Sequence, residues 1–428
     1  MINGESGYFE EETIINENNE NILNNIKIEE NNNQKKHSTQ NSENKNENLF
    51  PNQNDKGNNS NNNNNDNKKI ENNSYEKNNP LDKYTEVSKI GLKNLGDISY
   101  LNAVLQSIGQ IKYFANYFLN NDIQTKIESN IKINPLSFVT ERLFLHLYPF
   151  PSKQNNGIYE LRSYFRVLNS LNCLYNDYQR RNPSELLVFI LNTLHNELNS
   201  AIKNSNKVNN YPKDLQNEYK NFLENNKSII SETLTYFQWN EIKCNCNSSF
   251  SKFRAFNTYD LNIYNTYQNL KLERSLNIYD CLKYQFKKTQ TLYCYSCRKI
   301  TLKNIESKIV KGPKVMIFLL ERGVNFDKSN QRNIIPFTIN EKIDLGEYIL
   351  QKESSYNYEL TGIVSIYLKE QKYISFNKSS IKNEWYIYDD ETVENNSFDN
   401  IIKKNNDQKT YIPCILFYTK IENQYLNK

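Results

Sequence analysis

The stretch "GLKNLGDISYLNAVLQSI", Gly91 to Ile108, places a hydroxyl where a Gly-bounded loop runs into an apolar helix. Helix N–H groups and a nearby base can stabilise charge that develops at such a junction, so it suits a nucleophile. The residue there is Ser99. A serine at a helix start is also a common N-cap, and that role is expected for Ser99 ahead of any contact with a ligand. A second chemistry is offered by four cysteines, Cys244 and Cys246 in "CNC" and Cys294 and Cys297 in "CYSC". Four thiolates suit tetrahedral zinc, and the second pair has the usual spacing. The first pair is one residue short, so one structural zinc and a degenerate site with free thiols both stand as readings. Cys173, Cys281 and Cys414 fall in apolar patterns and are expected to be buried. Imidazole is scarce: the three histidines are His37, His146 and His195, and none lies beyond 195.

The elements that must position these groups follow from periodicity. Leu101, Val104, Leu105, Ile108 and Ile111 recur at helical spacing after Gly96. Further helices are expected at 136–147, 159–168 and 184–198, with Pro183 suited to a first turn. The character then changes to Thr, Tyr, Ile and Val in "ETLTYFQWNEIKC", "FNTYDLNIYN" and "SKIVKGPKVMIFLLERG", which read as strands around a short helix at 279–286. Strand-like segments return in "YELTGIVSIYL", "KYISFN", "EWYIYDD" and "TYIPCILFYTKI". A helical half followed by a β half gives an α+β protein.

Composition bounds the rest. Of 428 residues, 1–83 form an Asn-rich region, densest at "NNSNNNNNDNKK", that has too few apolar residues to offset the entropy of ordering and is expected to be disordered. Residues 84–428 are expected to fold. A net charge of +4, with Lys and Arg scattered among acids, argues against nucleic acid. No apolar run approaches a membrane span, so no membrane association is expected. "MINGESGYFEEET" lacks a signal-peptide pattern. With seven cysteines, an odd number, this points to reduced thiols and an intracellular place, cytoplasm or nucleus.

"GLKNLGDISYLNAVLQSI" resembles the nucleophile box of the ubiquitin-specific protease family, papain-like cysteine proteases that cleave ubiquitin from lysines. "QRRNPSELLVFILNTLHNEL" is similar to the family's second helical motif, "GPKVMIFLLERG" to its palm strand, and "EWYIYDDETV" with "TYIPCILFY" to its closing segment. These matches lie in the family's order from about residue 85 to about 420. The resemblance implies a papain-like fold of helical thumb (about 84–228), β-rich, zinc-ribbon-like fingers (229–310) and β-sheet palm (311–428). It also implies that the four cysteines meet in the fingers, where the family often carries two Cys-x-x-Cys knuckles on structural zinc.

Residue by residue, the resemblance places Ser99 at the catalytic Cys, Lys372 in "EQKYI" at the catalytic His, Asp389 at the third triad member and Asp97 at the oxyanion-side Asn. Asn182 takes the place of the Asp that pairs with the basic tail of ubiquitin. Glu185 and Tyr373 fall at further substrate-binding positions. A thiol near pKa 8.5 can be held as thiolate, whereas a hydroxyl needs a strong base. Lys372 would serve only if its pKa, about 10.4 in water, fell towards neutrality, and a neighbouring Asp389 works against that. A carboxylate at position 97 would repel an oxyanion rather than donate to it. An engineered Cys-to-Ser change would account for Ser99 alone, not for the missing His and Asn. The implied function is an inactive pseudo-deubiquitinase that binds ubiquitin, a ubiquitinated protein or another protein partner through the former substrate cleft. The alternatives are an active deubiquitinase hydrolysing the isopeptide bond after the C-terminal glycine of ubiquitin, and a structural scaffold without ubiquitin binding, like the family's inactive splicing member.

Overall fold

A computed structural model describes residues 80–84, 89–149, 157–175, 177–201, 215–322, 335–351 and 355–422. The Asn-rich region up to Asn79 and His37 lie outside these residues. The chain divides into Met1–Asn79 and Pro80–Lys428. In the second unit Pro80–Lys83 already forms a 3-10 turn with Leu81 buried, a few residues before the expected start at 84.

The first half is helical. A two-residue strand β1 (Gly91–Leu92) leads into α1 (Ser99–Gly109), followed by α2 (Lys112–Phe118), α3 (Asn121–Ser129) and α4 (Pro135–Leu147). Strand β2 (Ile158–Tyr159) pairs in parallel with β1. Then come α5 (Arg162–Leu171), α6 (Pro183–Leu198), α7 (Leu215–Asn225) and α8 (Ile229–Thr233). Helix α6 starts where its chemistry requires: Asn182 accepts from the Ser184 N–H, and Pro183 needs no N–H acceptor in the first turn. Every residue of α1 is buried. A helix buried all round must be enclosed by other elements, and Leu101, Val104, Leu105 and Ile108, at most 1% exposed, each contribute about 1.5–3 kcal/mol by leaving water.

The β half contains two sheets. Strands β3 (Tyr236–Cys244), β4 (Ser249–Phe256), β6 (Lys287–Cys294) and β7 (Lys299–Ile309) form an antiparallel sheet in the order β4-β3-β7-β6. Strand β5 (Tyr259–Asn262) leaves it and pairs in parallel with β8 (Val315–Glu321) of the larger sheet. That sheet runs β13-β12-β11-β10-β14-β8-β5, with β9 (Lys342–Asp344) beside β10. Its further strands are β10 (Asn357–Tyr367), β11 (Lys372–Lys378), β12 (Trp385–Asp389), β13 (Thr392–Asn396) and β14 (Tyr411–Lys420). The expected strand "FNTYDLNIYN" is thus cut short: Asn262 caps helix α9 (Ile263–Leu270) by accepting from the Asn265 N–H. Helix α10 (Ile278–Phe286) starts in a capping box of Asn277 and Asp280, and α11 (Phe398–Asp407) precedes β14. One apolar core joins α9, α10 and both sheets through Ile263, Phe286, Tyr236, Ile309, Phe318 and Tyr418. No described helix is long and apolar enough to cross a membrane.

Candidate functional site

Helix α1 lies against β10, β11 and β12 on one side and α6 on the other, which brings its first residue to the edge between helical and sheet halves. Ser99 is fully buried there. The expected N-cap role does not hold. Ile98 is the cap residue and its carbonyl already accepts from Leu101 and Asn102, so Ser99 is the first helical residue and its side chain is free to leave the helix end. Its Oγ accepts from the Tyr373 N–H at 3.1 Å, across 274 positions of chain.

Lys372 begins β11 beside this contact. Its Nζ lies 2.7 Å from Asp389 Oδ1 at the end of β12 and 2.8 Å from Glu370 Oε2 in the turn before β11. Burial by itself would lower the ammonium pKa, but the adjacent carboxylates of Asp389 and Glu370 outweigh it and hold Lys372 above the ordinary lysine range. Glu370 is in turn lowered, first by its hydrogen bond to Lys372. Glu370 was not singled out in the sequence. The signal was present in "KEQKYI", an acid two residues before the lysine across a turn whose Gln371 takes φ 56°.

Asp97 faces Arg180, with Oδ2 3.3 Å from its Nη2, and its own N–H donates to the Tyr178 carbonyl. Arg181 grips Asp177 with Nη2 at 2.7 and 2.8 Å from the two carboxylate oxygens. Asn182 caps α6, and its Nδ2 donates to Glu185 Oε1 at 3.3 Å. Arg180, Arg181, Asn182, Glu185 and Tyr373, the last only 9% exposed, line a cleft of about 1060 Å³ between α6 and the ends of β8, β11 and β14. Asp260, Glu321 and Arg322 complete its charged lining. Asp260 is raised by burial. Arg322 is 5% exposed and donates to the carbonyls of Ile335 and Pro413.

A second residue that sequence reasoning missed is Asp390. Its carboxylate accepts from Asn102 Nδ2 at 2.7 Å and Asn94 Nδ2 at 2.9 Å, and its carbonyl accepts from the Leu92 N–H. Gly91 lies so close to the next residue that a Cβ would run into the Glu391 carbonyl. This lock fixes the start of α1 on the β12–β13 turn. It is what sets Ser99 against Tyr373.

The described histidines are elsewhere. His195 Nδ1 is 2.7 Å from Ser228 Oγ, the cap of α8, and His146 Nδ1 is 2.7 Å from the Arg142 carbonyl within α4. Cys173, expected to be buried, is exposed: it opens a 3-10 turn after α5 whose inward residue is Tyr175.

At the far end of the four-stranded sheet the sulfurs of Cys244, Cys246, Cys294 and Cys297 all lie within 4.8 Å of one another. Cys244 and Cys297 are 4.0 Å apart and Cys246 and Cys294 3.7 Å. Zinc–sulfur bonds of about 2.3 Å put tetrahedral thiolates about 3.8 Å apart, so the residues fit one structural zinc. The short first pair is accommodated by Asn247, which turns the chain with φ 61°, matched by Arg298 at φ 54° after the second pair. The Cys297 N–H, with the Ser248 hydroxyl, brings the Cys294 thiol down to about 5, and the Cys246 N–H lowers Cys244. Donors aimed at sulfur favour the thiolate that binds metal.

A helix buried against a mixed sheet, a cleft at their junction and a cysteine-tipped second sheet define a papain-like fold of thumb, palm and fingers. The family model "Ubiquitin carboxyl-terminal hydrolase" matches residues 90–418. The chain belongs to that family and is a ubiquitin-specific-protease-type domain of the ubiquitin system. It is 25% identical over 340 residues to ubiquitin carboxyl-terminal hydrolase 4 of Arabidopsis thaliana, covering 73% of this chain and 87% of that protein. It is 23% identical over 300 residues to ubiquitin carboxyl-terminal hydrolase 4 of Candida glabrata, covering 64% of this chain but 33% of that one. The fold resembles the SAGA DUB module of Ubp8, Sgf11, Sus1 and Sgf73 bound to monoubiquitin, with TM-score 0.56, 20% identity, and 78% and 69% of the two chains covered. The same module bound to ubiquitin aldehyde gives TM-score 0.55.

Proposed function

We propose that this chain is a pseudo-deubiquitinase of the cytoplasm or nucleus that binds ubiquitin, or a ubiquitinated partner, in the cleft without cleaving it. The observation that carries this reading is Lys372 held between Asp389 and Glu370 at 2.7 and 2.8 Å. A base must be neutral to take the Ser99 proton, and two carboxylates stabilise the charged form. The Ser99 hydroxyl accepts from the Tyr373 amide, and among the described residues no hydrogen bond joins it to Lys372. Asp97, at the oxyanion side, is engaged by Arg180. Loss of groups that act as a unit costs on the order of 10⁶ in turnover.

Retained binding is supported by where the cleft's charges go. Arg180 and Arg181 are taken up by Asp97 and Asp177. Glu185, Asp260 and Glu321 have no ion pair among the described residues, so three carboxylates face the channel and suit a basic tail. Two measurements test the reading together. A ubiquitin titration followed by NMR should move signals of the ubiquitin tail, while a fluorogenic ubiquitin substrate should show no turnover at neutral pH. Turnover that disappears in Ser99→Ala would establish an active enzyme, and absence of both binding and turnover would establish a scaffold.

A further inference from the structure

The four-stranded sheet has two edges, and they are built differently. β4 carries Lys252 and Arg254 in its middle, a common guard against adventitious strand pairing. β6 has its two lysines, Lys287 and Lys288, at its start beside α10. From Thr289 to Tyr293 it is uncharged, rich in Thr, Leu and Tyr, and pairs among the described residues with β7 alone. Thr289, Gln290 and Thr291 are exposed. Half of the backbone polar groups along such an edge point outward with no strand to receive them.

The same edge borders an apolar row. Tyr293 lies opposite Ile300 and Thr291 opposite Leu302, so these side chains share one face. Lys303 and Ile305 are on the other face, which looks towards the palm. Tyr293, Ile300 and Leu302 are 47%, 72% and 53% exposed, and Tyr295, its ring 5.2 Å from that of Tyr293, is 85% exposed. Single exposed apolar residues are ordinary, but a contiguous row beside an unguarded edge is an interaction surface. Exposed cations flank the edge at its two ends, Lys287 and Lys288 at the start of β6 and Arg298 and Lys299 beyond its end, while Glu306, opposite Lys287, is the sole acid on β6 and β7.

We propose that the outer edge of β6, with the row Tyr293, Ile300 and Leu302, docks an extended acidic segment of a partner protein. The segment adds a fifth strand, lays alternate apolar side chains on the row, and sets its carboxylates towards the cations at the two ends of the edge. Strand addition supplies affinity through main-chain hydrogen bonds and specificity through alternate side chains. A second copy fits less well. Antiparallel pairing of β6 with itself brings Lys287 and Lys288 of one copy towards Arg298 and Lys299 of the other, cation against cation. This site is separate from the cleft and does not depend on what the cleft binds.

The test uses the full chain and a fluorescein-labelled synthetic peptide, EVEIEVEIE, read by fluorescence anisotropy. The expected result is binding at least tenfold tighter than to KVKIKVKIK, and at least tenfold weaker when the central Glu of the acidic peptide is replaced by Pro, which removes a donor and the extended register. Ile300→Asp with Leu302→Asp should weaken binding at least tenfold with zinc content unchanged, which separates loss of the row from loss of the fold. Hydrogen exchange should slow at Thr289–Tyr293 on binding. Equal binding of the proline peptide, or no detectable binding, overturns the proposal. Tighter binding of a twelve-residue oligo-thymidine assigns the surface to nucleic acid instead. Concentration-dependent dimers abolished by Ile300→Asp would show that a second copy is the occupant.

Discussion

The cleft and the cysteine quartet hold the chain's two clusters of reactive groups, and they differ in whether those groups are free to act. At the catalytic positions beside the cleft each charge is answered internally: Lys372 by Asp389 and Glu370, and Asp97 by Arg180. At the fingertip four sulfurs converge with backbone and hydroxyl donors aimed at them and no cationic side chain paired to them among the described residues. Catalytic groups whose charges are already neutralised have little to offer a transition state, whereas four converging sulfurs, two of them lowered by the donors around them, suit a cation. The two regions therefore teach that a preserved fold and a preserved chemistry are separable within one chain.

The comparison breaks most sharply on activity. Ser99→Cys alone should give no turnover of a fluorogenic ubiquitin substrate, because Lys372 stays protonated and cannot generate the thiolate or shuttle its proton. The expected deficit relative to an intact family site is on the order of 10⁶. Detectable turnover in that single variant would show that Lys372 is a usable base and that the charges of the cleft are not fixed as argued.

The next largest effect belongs to the fingertip. Purified protein should carry about one zinc per chain, and Cys297→Ser or a strong chelator should loosen the four-stranded sheet while the helical half persists. Structural zinc supplies on the order of 10 kcal/mol to regions with little core of their own, and β4 and β6 are largely exposed. Elemental analysis without zinc, together with native alkylation of all four thiols, would leave the two regions alike in having lost their chemistry.

How much of this could be read in advance depended on range. Helix α6 follows from Pro183 and a local apolar stripe, so its start was legible to within a residue. The "FNTYDLNIYN" segment was misread beyond Asn262, because an Asn side chain turning back onto the Asn265 N–H outweighs β propensity over four residues. Lys372 and Asp389 come into view only through the order of motifs, not through any local pattern. Asp390 left no local trace, since its partner Asn102 is 288 positions away. The N-cap reading of Ser99 fails by one residue, since Ile98 is the cap, and the partner that Ser99 has instead, the Tyr373 N–H that donates to its hydroxyl, belongs to a strand in the other half.

A smaller effect sharpens the contrast from a third place. Glu141 on α4 is 1% exposed and neither carboxylate oxygen has a partner. Burial first, and Glu128 second, push it up to about 7 against the opposing pull of Arg142. Here a charge is left unanswered inside the thumb. A carboxyl whose folded pKa lies above its unfolded value, about 4.3, costs nothing below that value, and the penalty grows as pH rises to about 7 and is then complete. Glu141→Gln should therefore stabilise the protein by about 2 kcal/mol at pH 8 and by little at pH 4, read from denaturant unfolding at the two values. Equal effects at both pH values would mean that packing, not charge, decides this position.

The smallest expected effect concerns the region before Pro80. Its composition, Asn and charged residues with few apolar ones, gives little surface to bury, and stability scales with apolar area removed from water. Deleting residues 1–79 should shift the melting temperature by no more than about 3 °C, since 1 kcal/mol corresponds to about 2–4 °C in a domain of this size. The same truncated protein should keep its zinc and its cleft binding unchanged. A drop of about 10 °C would require several kcal/mol of contact from a segment whose sequence offers almost no means of making it. That result would place a determinant of stability outside both regions compared here.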